Sequence, residues 1–145
     1  MITVQLESDG VDLPTIDGNW ISGICENILT DHHHSEAALT IVFSTDTKLR
    51  KLKKEYFDKD VLTDTISFNL EEKGEAIDGE IYISLERVAE NAKTFEQDFD
   101  IECKRVIIHS VLHLLGFDDR NSKDKTKMTQ LEDFYLSSTI SVDQI

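Results

Sequence analysis

The sequence predicts an α+β fold in a single domain spanning residues 1–145, with a mixed four-stranded sheet packed against about five helices. Three features carry that expectation. A strand-like segment followed by an amphipathic helical one occurs twice in succession, two further strand-like segments then flank a polar loop, and the remaining sequence has helical periodicity. A length of 145 residues suits one ordinary domain, and 39% hydrophobic with 30% charged residues is a globular composition.

The first element is ITVQL, residues 2–6, whose alternation suits a half-buried strand. After a loop around Pro14 and Gly18, Asp17 caps a helix in which Ile21, Ile24, Cys25 and Ile28 recur at i, i+3, i+4 and i+7. ALTIVFS, residues 38–44, is β-branched and mostly apolar, as a central strand tends to be. Thr45 or Asp46 then caps a second helix with Leu49, Leu52 and Tyr56 along one side. DTISFNL and GEIYISL are two more strands, and the polar EEKGEAID between them suits an antiparallel hairpin with a long tip. From Leu85 to Phe95, Val88, Ala92 and Phe95 form a narrow helical stripe, and the DFD of residues 98–100 offers caps for the next helix. A last, exposed amphipathic helix runs from about Ser122, with Lys125, Met128, Leu131 and Tyr135 in register.

Charge narrows the function classes. With 15 Lys+Arg against 29 Asp+Glu the net charge is −14, which argues against a nonspecific nucleic-acid binder. The positive charge is concentrated in KLRKLKKEY, residues 48–56; such a strip can face a phosphate backbone, or it is simply a solvated helix face. No apolar stretch approaches the roughly 20 residues of a membrane span, and MITVQLESDG lacks a basic segment followed by an apolar one, so a cytoplasmic protein without membrane contact is expected. Cys25 and Cys103 have no CxxC spacing and read as buried hydrophobes.

The chemistry is concentrated in HSVLHLLGFDD, residues 109–119. Positions i and i+4 share a helix face, so His109 and His113, expected to be buried in what is otherwise the most apolar helix, can bind one ion. Gly116 can adopt the left-handed conformation that ends a helix, after which the chain turns back and Asp119 becomes a third ligand. Three protein ligands with one position left to water is the pattern of a catalytic zinc site. Asp118 is either an acceptor for the free N–H of a ligand or a turn residue. DHHH, residues 31–34, falls between a helix and a strand and reads as a loop, because consecutive side chains do not converge on one ion.

Ser110 stands where a zinc peptidase keeps its glutamate base, which weakens a peptidase reading. Hydrolysis by a metal-activated water remains open, and phosphodiesters gain from Lewis-acid stabilisation of their transition state. Two histidines and a carboxylate are also the ligand set of non-haem Fe(II) oxygenases, although those sites sit mostly on strands.

HSVLHLLGFDD resembles the HGxLHLxGYDH signature of the YbeY family of metal-dependent endoribonucleases, which act in ribosomal RNA maturation and ribosome quality control. LTDTISFNL resembles that family's PTDVLSFP segment, GEIYIS its GDIxIS strand and KMTQLEDFYL its closing helix, in the same order over residues 38–136. The resemblance implies one divalent ion on His109, His113 and Asp119, zinc first. Asp119 falls where the family usually has histidine, and a carboxylate there moves preference toward Mn²⁺ or Fe²⁺. It implies single-strand-type cleavage of RNA, with the ribosome or small-subunit proteins as partners. Phe57 stands where the family commonly has an arginine that contacts RNA, a role Lys59 or the basic helix can fill; Thr63 and Ser67 would line the cleft as hydroxyl donors or as ordinary strand polarity. A non-enzymatic alternative is a ribosome-assembly adaptor with a structural metal.

Overall fold

A computed structural model describes residues 1–72 and 74–143. In chain order the elements are β1 (Ile2–Ser8), α1 (Gly18–Asp31), β2 (Ala37–Ser44), α2 (Asp46–Phe57), β3 (Thr65–Asn69), β4 (Ile77–Ser84), α3 (Leu85–Thr94), α4 (Phe99–Leu114) and α5 (Ser122–Asp143). The sheet order is β1-β2-β4-β3, with β1, β2 and β4 parallel and β3 antiparallel to β4. This is the expected mixed four-stranded sheet with five helices.

Alternation decides which face is buried. In β4, Ile77, Ile81 and Ile83 point into the core with Leu39, Ile41 and Phe43 of β2, and Ile107, Ile108, Val111 and Leu112 of α4 pack among them. Gly79 lies on the same face of β4, where a Cβ would stand 2.8 Å from Leu114 Cδ1 and 3.3 Å from Leu39 Cδ2. Its missing side chain therefore lets the end of α4 come down onto the sheet. Both cysteines are buried, and burial raises each thiol to about 12, so they behave as core atoms.

Helix ends follow local chemistry. Asp17, Thr45 and Ser84 accept backbone N–H bonds as N-caps, whereas Asp98 makes no such side-chain bond. Gly116, at φ 98°, ends α4: its N–H donates to His113 O and that of Phe117 to Leu112 O, the paired closure expected of a left-handed stop. DHHH closes α1 the same way, with His33 at φ 70° and the N–H groups of His33 and His34 donating to Thr30 O and Leu29 O. His32 Nδ1 bonds Ile28 O, so that imidazole serves the helix terminus. Two expectations change. Phe95 leaves its stripe, because it caps α3 at the helix end and is exposed. The closing helix is less exposed than expected, since Met128, Tyr135 and Leu136 join the core.

Gly79→Ala is expected to cost about 1–3 kcal/mol in urea unfolding, because the core-packed Leu114 and Leu39 must both yield. Part of the loss should return in the Gly79→Ala/Leu114→Val double variant.

Candidate active site

The expected buried histidines stand at the margin of their helix. Nine of the sixteen α4 residues are buried, but His109 is only half-buried and His113 is exposed. Both lie on the open edge of α4, beside strand β3, with ring planes 7° apart and centroids 6.2 Å apart. The turn after Gly116 carries Asp119 to the same opening. His109, His113 and Asp119 together line one cavity of about 270 Å³, whose other walls are Thr63, Asp64, Thr65, Ile66 and Ser67 from β3 and the segment before it, and Lys53 and Phe57 from α2.

Ser110 locks the histidine helix to the strand. Fully buried, its hydroxyl donates to Val106 O at 2.7 Å and accepts from Thr65 Oγ1 at 2.7 Å, while Ser67 Oγ donates to Ser110 O at 3.3 Å. Thr63 Oγ1 donates to Thr65 O at 3.1 Å. Thr63 and Ser67 thus lie in the cavity wall, but each spends its hydroxyl proton inside the protein and is not a free donor to a substrate. Lys59 does not line it: Asp58, at φ 54°, turns the chain away at the end of α2, and Lys53 is the lysine that reaches the wall.

Asp118 is a turn residue. Its carboxylate accepts the Asp119 N–H at 2.7 Å and pairs with Arg120 at 2.6 Å. The acceptor for the His109 imidazole is Glu132 of α5, whose Oε2 lies 2.7 Å from His109 Nδ1. An ionised carboxylate only accepts, so Nδ1 carries the proton and Nε2 is the nitrogen left for another partner. Arg105 holds Glu132 at 3.1 Å and Asp133 at 2.8 Å. Burial lowers the His109 pKa, but the Glu132 hydrogen bond and charge, with smaller contributions from Asp119 and Asp64, outweigh it and leave it raised. Burial raises the Asp64 carboxyl above its ordinary value, partly offset by His109 and by backbone N–H bonds. Asn91 Nδ2 donates to its Oδ2 at 3.4 Å.

Glu132 and Asp64 are not singled out by the sequence, whereas Lys53 comes from the basic helix offered there as the alternative to Lys59. A signal existed for the first: Glu132 sits one position after Leu131 in the stripe Met128–Tyr135, and a buried carboxylate there needs a partner.

Two imidazoles and a carboxylate facing one opening are the right donor chemistry for a divalent ion. As placed, no three His, Cys, Asp or Glu side chains among the described residues are gathered tightly enough to hold one.

The family model described as Endoribonuclease YbeY matches residues 4–139. The chain belongs to that family. Relatives that carry the family's name include one from Chloroherpeton thalassium, 44% identical over 73% of this chain and 74% of its own length. One from Chlorobium limicola is 40% identical over 77% and 76%, and one from Amoebophilus asiaticus is 38% identical over 85% and 81%. A solution structure from Thermotoga maritima shares the fold, with a TM-score of 0.65 at 24% identity over 97% of this chain and 91% of that one. The resemblance first drawn from HSVLHLLGFDD is borne out, and the α+β architecture is that of the family.

Glu132→Gln should lower the His109 pKa in an NMR titration of the metal-free protein, because burial then acts with less opposition. A raised folded-state pKa contributes stability that is fully present below the ordinary imidazole value and lost as pH rises through the raised one. The wild-type advantage over Glu132→Gln in thermal melts should therefore be larger in mildly acidic solution than at alkaline pH.

Proposed function

We propose that this chain is a metal-dependent, single-strand-type endoribonuclease that cleaves ribosomal RNA during its maturation and in ribosome quality control, acting in the cytoplasm with the ribosome or small-subunit proteins as partners. The observation that carries this reading is the single cavity over the β3 edge that His109, His113 and Asp119 share with Asp64 and Lys53. No helix among the described residues is long and apolar enough to cross a membrane.

His109, His113 and Asp119 would hold the ion, zinc first, with Mn²⁺ or Fe²⁺ favoured by the carboxylate. When bound, that ion supplies Lewis acidity toward phosphate oxygens and lowers the pKa of water. Glu132 fixes the tautomer and orientation of His109 so that Nε2 is presented to the cavity. Lys53 meets the substrate's phosphate charge at the opposite wall. Asp64, with its carboxyl raised by burial, is the lining group suited to hold or take a proton at a carboxyl oxygen as the phosphodiester is hydrolysed. The open position of His113 supports catalysis over the adaptor reading, since a structural ion is usually closed in by four protein ligands.

His113→Ala is expected to lose the bound ion, by metal analysis of protein purified without chelator, and to lose RNA cleavage while melting like wild type. Retained cleavage would sink the proposal; loss of folding with the ion would favour the adaptor. Asp64→Asn should keep the ion but lower kcat about 10²-fold in the same cleavage assay.

A further inference from the structure

Phe57 is the last residue of α2 and part of the cavity wall, with its side chain 42% exposed. Its neighbours hold that ring in place. Phe68 of β3 lies nearly parallel to it, centroids 5.8 Å apart and planes 28° apart. Tyr56 and Tyr82 in turn meet Phe68 edge-on at 5.3 and 5.9 Å. Lys53 precedes Phe57 by one helical turn and carries its ammonium 4.6 Å from the ring centroid. Arg50 and Lys54 share that helix face at i−7 and i−3, and Arg50 is engaged by Asp60 while Lys54 is exposed.

An aromatic ring backed by a second ring, bordered by lysines and opening onto a polar cavity, matches the chemistry of an unpaired nucleobase with its adjoining phosphates. Every base has a π-face, but a base within a duplex has both faces covered by its neighbours. A protein partner would use the apolar surface and leave the flanking cations unmatched.

We propose that Phe57, backed by Phe68, stacks against one unpaired nucleobase of single-stranded RNA lying across the β3 edge, with Lys53 and Lys54 engaging the flanking phosphates. This rests on the reading of the chain as a single-strand-type endoribonuclease and adds the residue that meets an unpaired base. Lys53 exchanges its exposed cation–π contact for a phosphate as the base arrives.

The test uses single-stranded RNA oligonucleotides carrying one 2-aminopurine at successive positions, whose fluorescence falls on stacking, mixed by stopped flow with the purified full chain before cleavage accumulates. Wild type should quench the probe at one position or two adjacent ones, and not when the oligonucleotide is annealed to its complement. Phe57→Leu, which keeps apolar bulk and is checked by thermal melting, should abolish that quench and weaken binding about tenfold, and Phe57→Trp should restore both. Phe95→Ala, at an exposed aromatic outside the cavity wall, should leave affinity unchanged. Lys53→Gln should flatten the salt dependence of binding by about one phosphate contact, which also reads the site if the leucine variant fails to fold. An unaltered quench and affinity in Phe57→Leu, or equal binding of duplex, would overturn the proposal while cleavage by wild type leaves the endoribonuclease reading standing. A wild-type chain that neither binds nor cuts any RNA would overturn that reading itself.

Discussion

The seating of α4 on β3 through Thr65, Ser67 and Ser110 is the contact on which the rest of the site depends. Three hydroxyls and two backbone carbonyls are satisfied among themselves at this junction, so the register between helix and strand is fixed by hydrogen bonds as well as by apolar packing. Gly79 sets the depth of the same helix by leaving room for Leu114. Because β3 also bears Phe68, against which Phe57 packs, one five-residue strand places the histidines of α4 opposite the lysine and aromatic ring of α2.

The charges around this junction are uneven by design of position. His109 lies within the field of Glu132, Asp119 and Asp64, a carboxylate excess that calls for positive charge in the opening. The opposite wall supplies Lys53, at the end of the chain's main cluster of basic residues. A phosphate entering the cavity therefore meets cationic charge from α2 on one side and the carboxylate-rich surroundings of His109 on the other. Without a cation there, the His109 side would repel it.

Periodicity and spacing made most of the architecture legible: the order of elements, the caps at Asp17 and Thr45, the stop at Gly116 and the shared opening of His109, His113 and Asp119 could all be read along the chain. What escaped reading depended on tertiary approach. Asp118 and Glu132 are both carboxylates near the histidines, and only the docking of α5 shows that Glu132, 23 residues from His109, takes the imidazole. Lys59 is nearer to the cavity segment in sequence than Lys53, yet the left-handed turn at Asp58 separates it from the wall. Burial was misjudged at the histidines for a similar reason. A helix can be largely buried and still present one edge, and the apolar run from Val106 to Leu115 does not reveal where that edge falls.

The site also leaves β3 at the border of the sheet, hydrogen-bonded to β4 on one side only. Strands in that position invite pairing with strands of other molecules, and many proteins cover them with a helix or a loop. Covering β3 would close the cavity. A net charge of −14 makes each copy of the chain repel the next, so the acidity that first argued against indiscriminate nucleic-acid binding also serves as colloidal protection for an edge that must stay open.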